Sequence, residues 1–127
     1  MIRMDETTTP AAFLQIASEA VRQHNHAASN DGYDSTPEVS RSAVAMVEMF
    51  ARTQQAIDHM GDRVRRDLAA GTLAPDDGTP PEEHAYGADL ALLDAGVALS
   101  ALLGYLQEAS CHLWHLGMAY EPGEADA

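Results

Sequence analysis

The stretch PEVSRSAVAMVEMFARTQQAIDHMGDRVRRDLAA, Pro37 to Ala70, decides the fold. Within it Ala43, Met46, Phe50, Thr53, Ile57, Met60 and Val64 recur at alternating steps of three and four residues without a slip. That seven-residue period belongs to an α-helix laying one apolar seam against another helix. The arginines at 41, 52, 63, 65 and 66 fall mostly off the seam, where a solvated face belongs. Gly71 suits the left-handed residue that closes a helix, and Pro75 forbids continuation. Gly61 is a local weak point, since glycine inside a helix costs about 1 kcal/mol relative to alanine.

Just upstream stands Thr36-Pro37, and the same pair recurs at Thr9-Pro10 and Thr79-Pro80. Threonine is a good N-cap, and proline is favoured in the first turn, where its missing N–H goes unneeded. Thr79 to Glu82 and Ser35 to Glu38 both have capping-box spacing, which also sets a carboxylate at the positive end of the helix dipole. A first helix is therefore expected over 10–28, with Phe13, Ile16, Ala17, Ala20, Val21, Ala27 and Ala28 as its stripe. The segment 29–34, with its Asp31-Gly32 turn, stops it. A second is expected over 37–70 and a third over 80–116, ended by Gly117. The third is apolar on two sides. Tyr86, Leu90, Leu93, Val97 and Gly104 form one stripe; Leu92, Leu99, Leu103, Leu106 and Leu113 form the other. A helix with two apolar faces must be covered twice.

The fold class that follows is all-α: an antiparallel up-down-up bundle of three long helices in a single domain spanning 1–127, with polar tails at 1–8 and 118–127. At 1.5 Å per residue the second and third helices reach about 50–55 Å and the first only about 28 Å. The first can then cover half of the hairpin made by the others. Ile57, Val64, Leu68, Leu90, Leu92 and Leu93 would be left bare, too large a stripe for a monomer. A homodimer is expected to bury them, together with Leu99. The alternative is a third helix broken near Gly96 and folded back into a four-helix bundle, but no proline or polar loop marks such a break.

Composition narrows the function. Hydrophobic residues make up 46% of the 127, so the chain has the means to form a core. The net charge is −13, all seven bases are arginine, and none follows Arg66. Direct binding to a phosphate backbone is disfavoured, because repulsion would replace counterion release. A basic protein partner is allowed. Cys111 is the only cysteine, which favours a reducing, cytoplasmic setting. The N-terminus has no secretory pattern, and the apolar run from Leu90 to Leu106 contains Asp94 and lacks basic anchors, so it is read as a buried helix of a soluble bundle and not as a membrane span.

Six histidines raise the question of a metal. Glu108, His112 and His115 share one helical face. In an up-down-up bundle His24, His26 and Glu38 would lie at the same end. Imidazole and carboxylate ligands suit Zn or Fe, so His24, Glu108, His112 and His115 form the candidate site. The plainer account is that these are solvent-facing residues near a helix C-terminus, where histidine also complements the dipole. His59 and His84 lie toward the other end. Cys111 and His115 are spaced as a nucleophile pair but lack oxyanion donors. No phosphate-binding loop, Cys-x-x-Cys pair or calcium loop occurs. The readings in order are a non-enzymatic, homo-oligomerising protein-interaction module without a cofactor, a metal-binding bundle, and an acidic decoy of a basic nucleic-acid-binding protein.

Overall fold

The hydroxyl of Thr9 accepts the Ala12 N–H at 3.2 Å, capping the first helix as its sequence anticipates. In the computed structural model, which describes residues 8–30 and 32–117, the chain forms α1 (Pro10–Asn30), α2 (Thr36–Ala70) and α3 (Pro81–Trp114). The expected tails at 1–8 and 118–127 lie, apart from Thr8, outside the described residues. The described residues fall into two units, one up to Ser35 and one from Thr36 onward.

In the first unit, α1 carries no buried residue. Its last turns run past Ala28 to Asn30, and Gly32 beyond it has φ +69, a left-handed conformation glycine adopts at no steric cost. The side chain of Tyr33 returns to His24, whose ring lies 5.7 Å away.

In the second unit α2 begins at Thr36, one residue earlier than expected, and closes as the sequence requires. Gly71 has φ +73, its N–H bonds Leu68 O at 3.1 Å, and the Thr72 N–H bonds Asp67 O at 3.2 Å. This is a Schellman closure, and it turns the chain toward α3. The start of α3 corrects the expected cap. Pro80, not Thr79, is the cap residue, and it makes no side-chain bond. Thr79 instead donates its hydroxyl to Asp77 at 2.7 Å. The helix then runs unbroken from Pro81 to Trp114 through Gly96, which removes the folded-back four-helix alternative. One flexible residue with good helix formers on both sides lacks the proline or polar loop that a reversal needs.

Helices α2 and α3 pack antiparallel along their length. Gln54 donates to Ser100 Oγ at 2.6 Å, and nearer the loop Arg65 pairs with Asp89. On α3 the buried residues Ala85, Leu99 and Leu103 belong to one heptad stripe with Leu92, Leu106 and Leu113, as expected for that face. On α2 the buried residues are Ser40 and Gly61. The seam therefore runs along Ser40, Ala43, Val47, Phe50, Gln54, Ile57, Gly61 and Val64. Met46 and Met60, the expected seam residues, stand 39% and 42% exposed. Gly61 takes the place of Met60 because a Cβ there would already lie 3.1 Å from Arg65 Nη1 and 3.2 Å from Asp89 Oδ1. Polar pairing and a small residue set this contact, where apolarity alone favours methionine.

Candidate functional site

A hairpin of two helices has one seam and two flanks. Among the described residues no large side chain is fully buried. The flank that carries Gln54–Ser100 and Arg65–Asp89 holds the largest exposed apolar stripe. Tyr86, Leu90, Leu93 and Val97 recur every three or four residues there and are 65%, 62%, 59% and 72% exposed. Leu93 and Val97 border a shallow groove of about 320 Å³ with Gln54, Asp58, Gly96 and Ser100. By helical period the other flank of α3 is lined by Ala88, Ala91, Ala95, Ala98 and Leu102, and that of α2 by Met46, Thr53 and Met60.

The residues expected at an interface divide accordingly. Leu90 and Leu93 are exposed on the first flank. Leu99, 8% exposed, is held in the seam of its own chain, and Ile57, Val64, Leu68 and Leu92 are half-buried along that seam. Nor is α3 the buried helix expected: it is long and apolar enough to cross a membrane, yet only 11% of that apolar window is buried.

Charges on the groove flank are arranged around the seam. Arg65 donates to Asp62 at 2.5 Å and also pairs with Asp89. These two carboxylates, Asp62 first, raise its guanidinium above its ordinary range. Ion pairs at Arg22–Glu19, Arg41–Glu38 and Arg63–Asp67 lie along exposed helix faces, where each contributes little.

The histidines are placed as follows. His24 Nε2 meets the Tyr33 hydroxyl at 2.5 Å and its Nδ1 meets Asn25 Oδ1 at 3.0 Å, so both ring nitrogens have partners in their own unit. His26 pairs with Asn30 at 3.1 Å. Glu108, His112 and His115 are exposed on the last turns of α3, where His115 is the cap residue and its N–H bonds His112 O. Cys111 beside them is exposed. Among the described residues no three His, Cys, Asp or Glu side chains gather as metal ligands.

A role for His84 is one that reasoning from the sequence missed. Its Nε2 donates to Asp77 Oδ2 at 2.5 Å, tying the loop to the first turn of α3. Asp77 also accepts the Thr79 N–H at 3.1 Å. The His84 bond, then those from Thr79, hold the Asp77 carboxyl well below its ordinary range, and Asp77 in turn raises His84. The signal available was Asp-Gly-Thr-Pro, a turn whose aspartate commonly bonds two residues on.

No protein-family model matches the chain, nor does any curated protein or solved structure.

Proposed function

We propose that this chain is a non-enzymatic helical module that associates with itself and, so assembled, engages another protein. The observation that carries this reading is the exposed stripe Tyr86, Leu90, Leu93 and Val97 on a hairpin whose buried apolar residues, among the described residues, are only Ala85, Leu99 and Leu103. A contiguous apolar patch of that kind marks an interaction surface on a soluble protein. In this reading the chain follows the up-down-up course, and a second chain covers the apolar stripe left bare. The acidity keeps the assembly soluble through self-repulsion. Native mass spectrometry of untagged protein, with metal analysis on the same sample, tests it. A metal-free dimer is the expected result. A monomer at micromolar concentration would sink the reading. Near-stoichiometric metal would instead bring forward His24, Glu108, His112 and His115 with Zn or Fe.

A further inference from the structure

We infer that the groove flank docks a basic amphipathic helix of another protein, its apolar face on Tyr86, Leu90, Leu93 and Val97 and its lysines or arginines on Asp58 and Asp94. The inference rests on the proposed reading of this stripe as an interaction surface, and it names the chemistry of the protein engaged.

Shape and charge point the same way. From Tyr86 to Val97 the exposed stripe runs three turns of α3, about 16 Å, a length that an apolar helix face can straddle. The groove of about 320 Å³ beside it offers such a helix a seat, with Leu93 and Val97 on one wall and Gln54 and Asp58 on the other. Between the walls Gly96 leaves the floor open. Gln54 and Ser100 already bond each other at 2.6 Å, which lowers the cost of covering them.

The acids decide what kind of helix fits. Asp58 borders the groove on the α2 side, and Asp94, four residues after Leu90, borders the stripe on its far side. Both are exposed, and among the described residues no cation pairs with either. Arg65, the arginine of this flank, is already taken by Asp62 and Asp89. By helical period Arg52 and Arg63 lie on the opposite side of α2 from Gln54. The acidic border belongs to this flank: Ala88, Ala91, Ala95 and Ala98 line the other one with Met46 and Met60, and none of them is charged. A second copy of the chain brings its own carboxylates to Asp58 and Asp94. A basic helix turns the same contacts into ion pairs, so it is the better occupant and displaces a copy that lies there.

The test measures binding of the full-length chain to a labelled synthetic peptide of about 18 residues, with leucines at i, i+3, i+4 and i+7 and lysines elsewhere. The peptide is expected to bind with a Kd on the order of 10 μM or tighter. A version with glutamate in place of lysine should bind at least about tenfold more weakly. Asp58→Asn and Asp94→Asn should each weaken binding about two- to fivefold, the worth of an exposed ion pair, while Asp76→Asn in the loop leaves it unchanged. Leu93→Ser should cost about tenfold, and Ala98→Ser on the other flank nothing. Raising salt from about 0.05 M to about 0.5 M should loosen the complex at least about fivefold. Equal losses from Asp76→Asn, equal binding of the glutamate peptide, or capture of phosphatidylcholine vesicles with no peptide bound would each overturn the inference. A dimer that ignores the peptide would overturn this inference and leave self-association intact, whereas a monomer that binds it would do the reverse. Retained helicity by circular dichroism confirms that a variant which fails to bind is folded.

Discussion

Gly61 shows how a single position sets the spacing of the hairpin. It is buried in the seam, and a Cβ there would touch the end of the flexible Arg65 side chain and the Asp89 carboxylate. Gly61→Ala sets two opposed effects against each other. Helix propensity favours alanine by about 1 kcal/mol, and the methyl group disturbs the exposed Arg65–Asp89 ion pair, whose contribution is small. Chemical denaturation should therefore place Gly61→Ala within about 1 kcal/mol of the parent. Gly61→Leu cannot be absorbed by a side-chain shift and should cost about 1–3 kcal/mol. A Leu variant as stable as the parent would mean that the helices do not meet there. His84 offers a second check at this scale. Its pKa lies above its ordinary 6.5, so its contribution is complete below that value and is lost as pH rises through the raised one. Asp77 acts in the opposite sense: its contribution is present above its ordinary 3.8 and is lost as pH falls through the lowered value. The latch is thus intact between the two ordinary values. An NMR titration should find His84 raised, and Asp77→Asn should return it toward 6.5. An unchanged His84 in that variant would break the assignment.

At the scale of elements, most of the architecture was legible and one register was not. The three Thr-Pro pairs located every helix start to within a residue or so, since prolines tolerate few other positions in a helix. Gly71 was legible for a similar reason, being the residue that takes φ +73 without strain. Gly71→Ala should therefore lower stability by about 1–2 kcal/mol, the penalty for a side chain in that conformation. Its Cβ would meet nothing within 4 Å, so strain alone would be responsible. A thermal melt that shows no loss would argue against the Schellman closure. The seam of α2 was misread because its apolar face spans two adjacent heptad positions. Hydrophobicity selects Met46 and Met60, whereas α3 approaches where Val47, Gln54 and Gly61 leave room and supply a donor. A cross-helix hydrogen bond such as Gln54 to Ser100 joins residues 46 apart and leaves no local pattern. The candidate histidine site was legible only as spacing: His112 and His115 are near each other on any helix, while Tyr33 as the partner of His24 depends on a turn whose path the sequence does not specify.

At the scale of the molecule, the question is where the chain finds its core. The hairpin buries Ala85, Leu99 and Leu103 and leaves Tyr86, Leu90, Leu93 and Val97 in water. Helices draw most of their stability from packing an apolar face, so a hairpin with one thin seam should be only marginally stable by itself. If a second copy supplies the missing contacts, folding and association are one equilibrium. Stability then depends on protein concentration, because anything that binds only the folded form stabilises it by mass action. A hundredfold dilution of such a dimer removes about 2.7 kcal/mol. For a domain of this size that shifts the melting temperature by several degrees. Calorimetric or fluorescence melts at concentrations spanning two decades should therefore show Tm falling on dilution. Leu93→Glu should abolish this dependence, since pairing would bury an unpaired carboxylate. A parent whose Tm is the same at every concentration would show that each chain completes its own core, and the exposed stripe of α3 would then have to be covered from within.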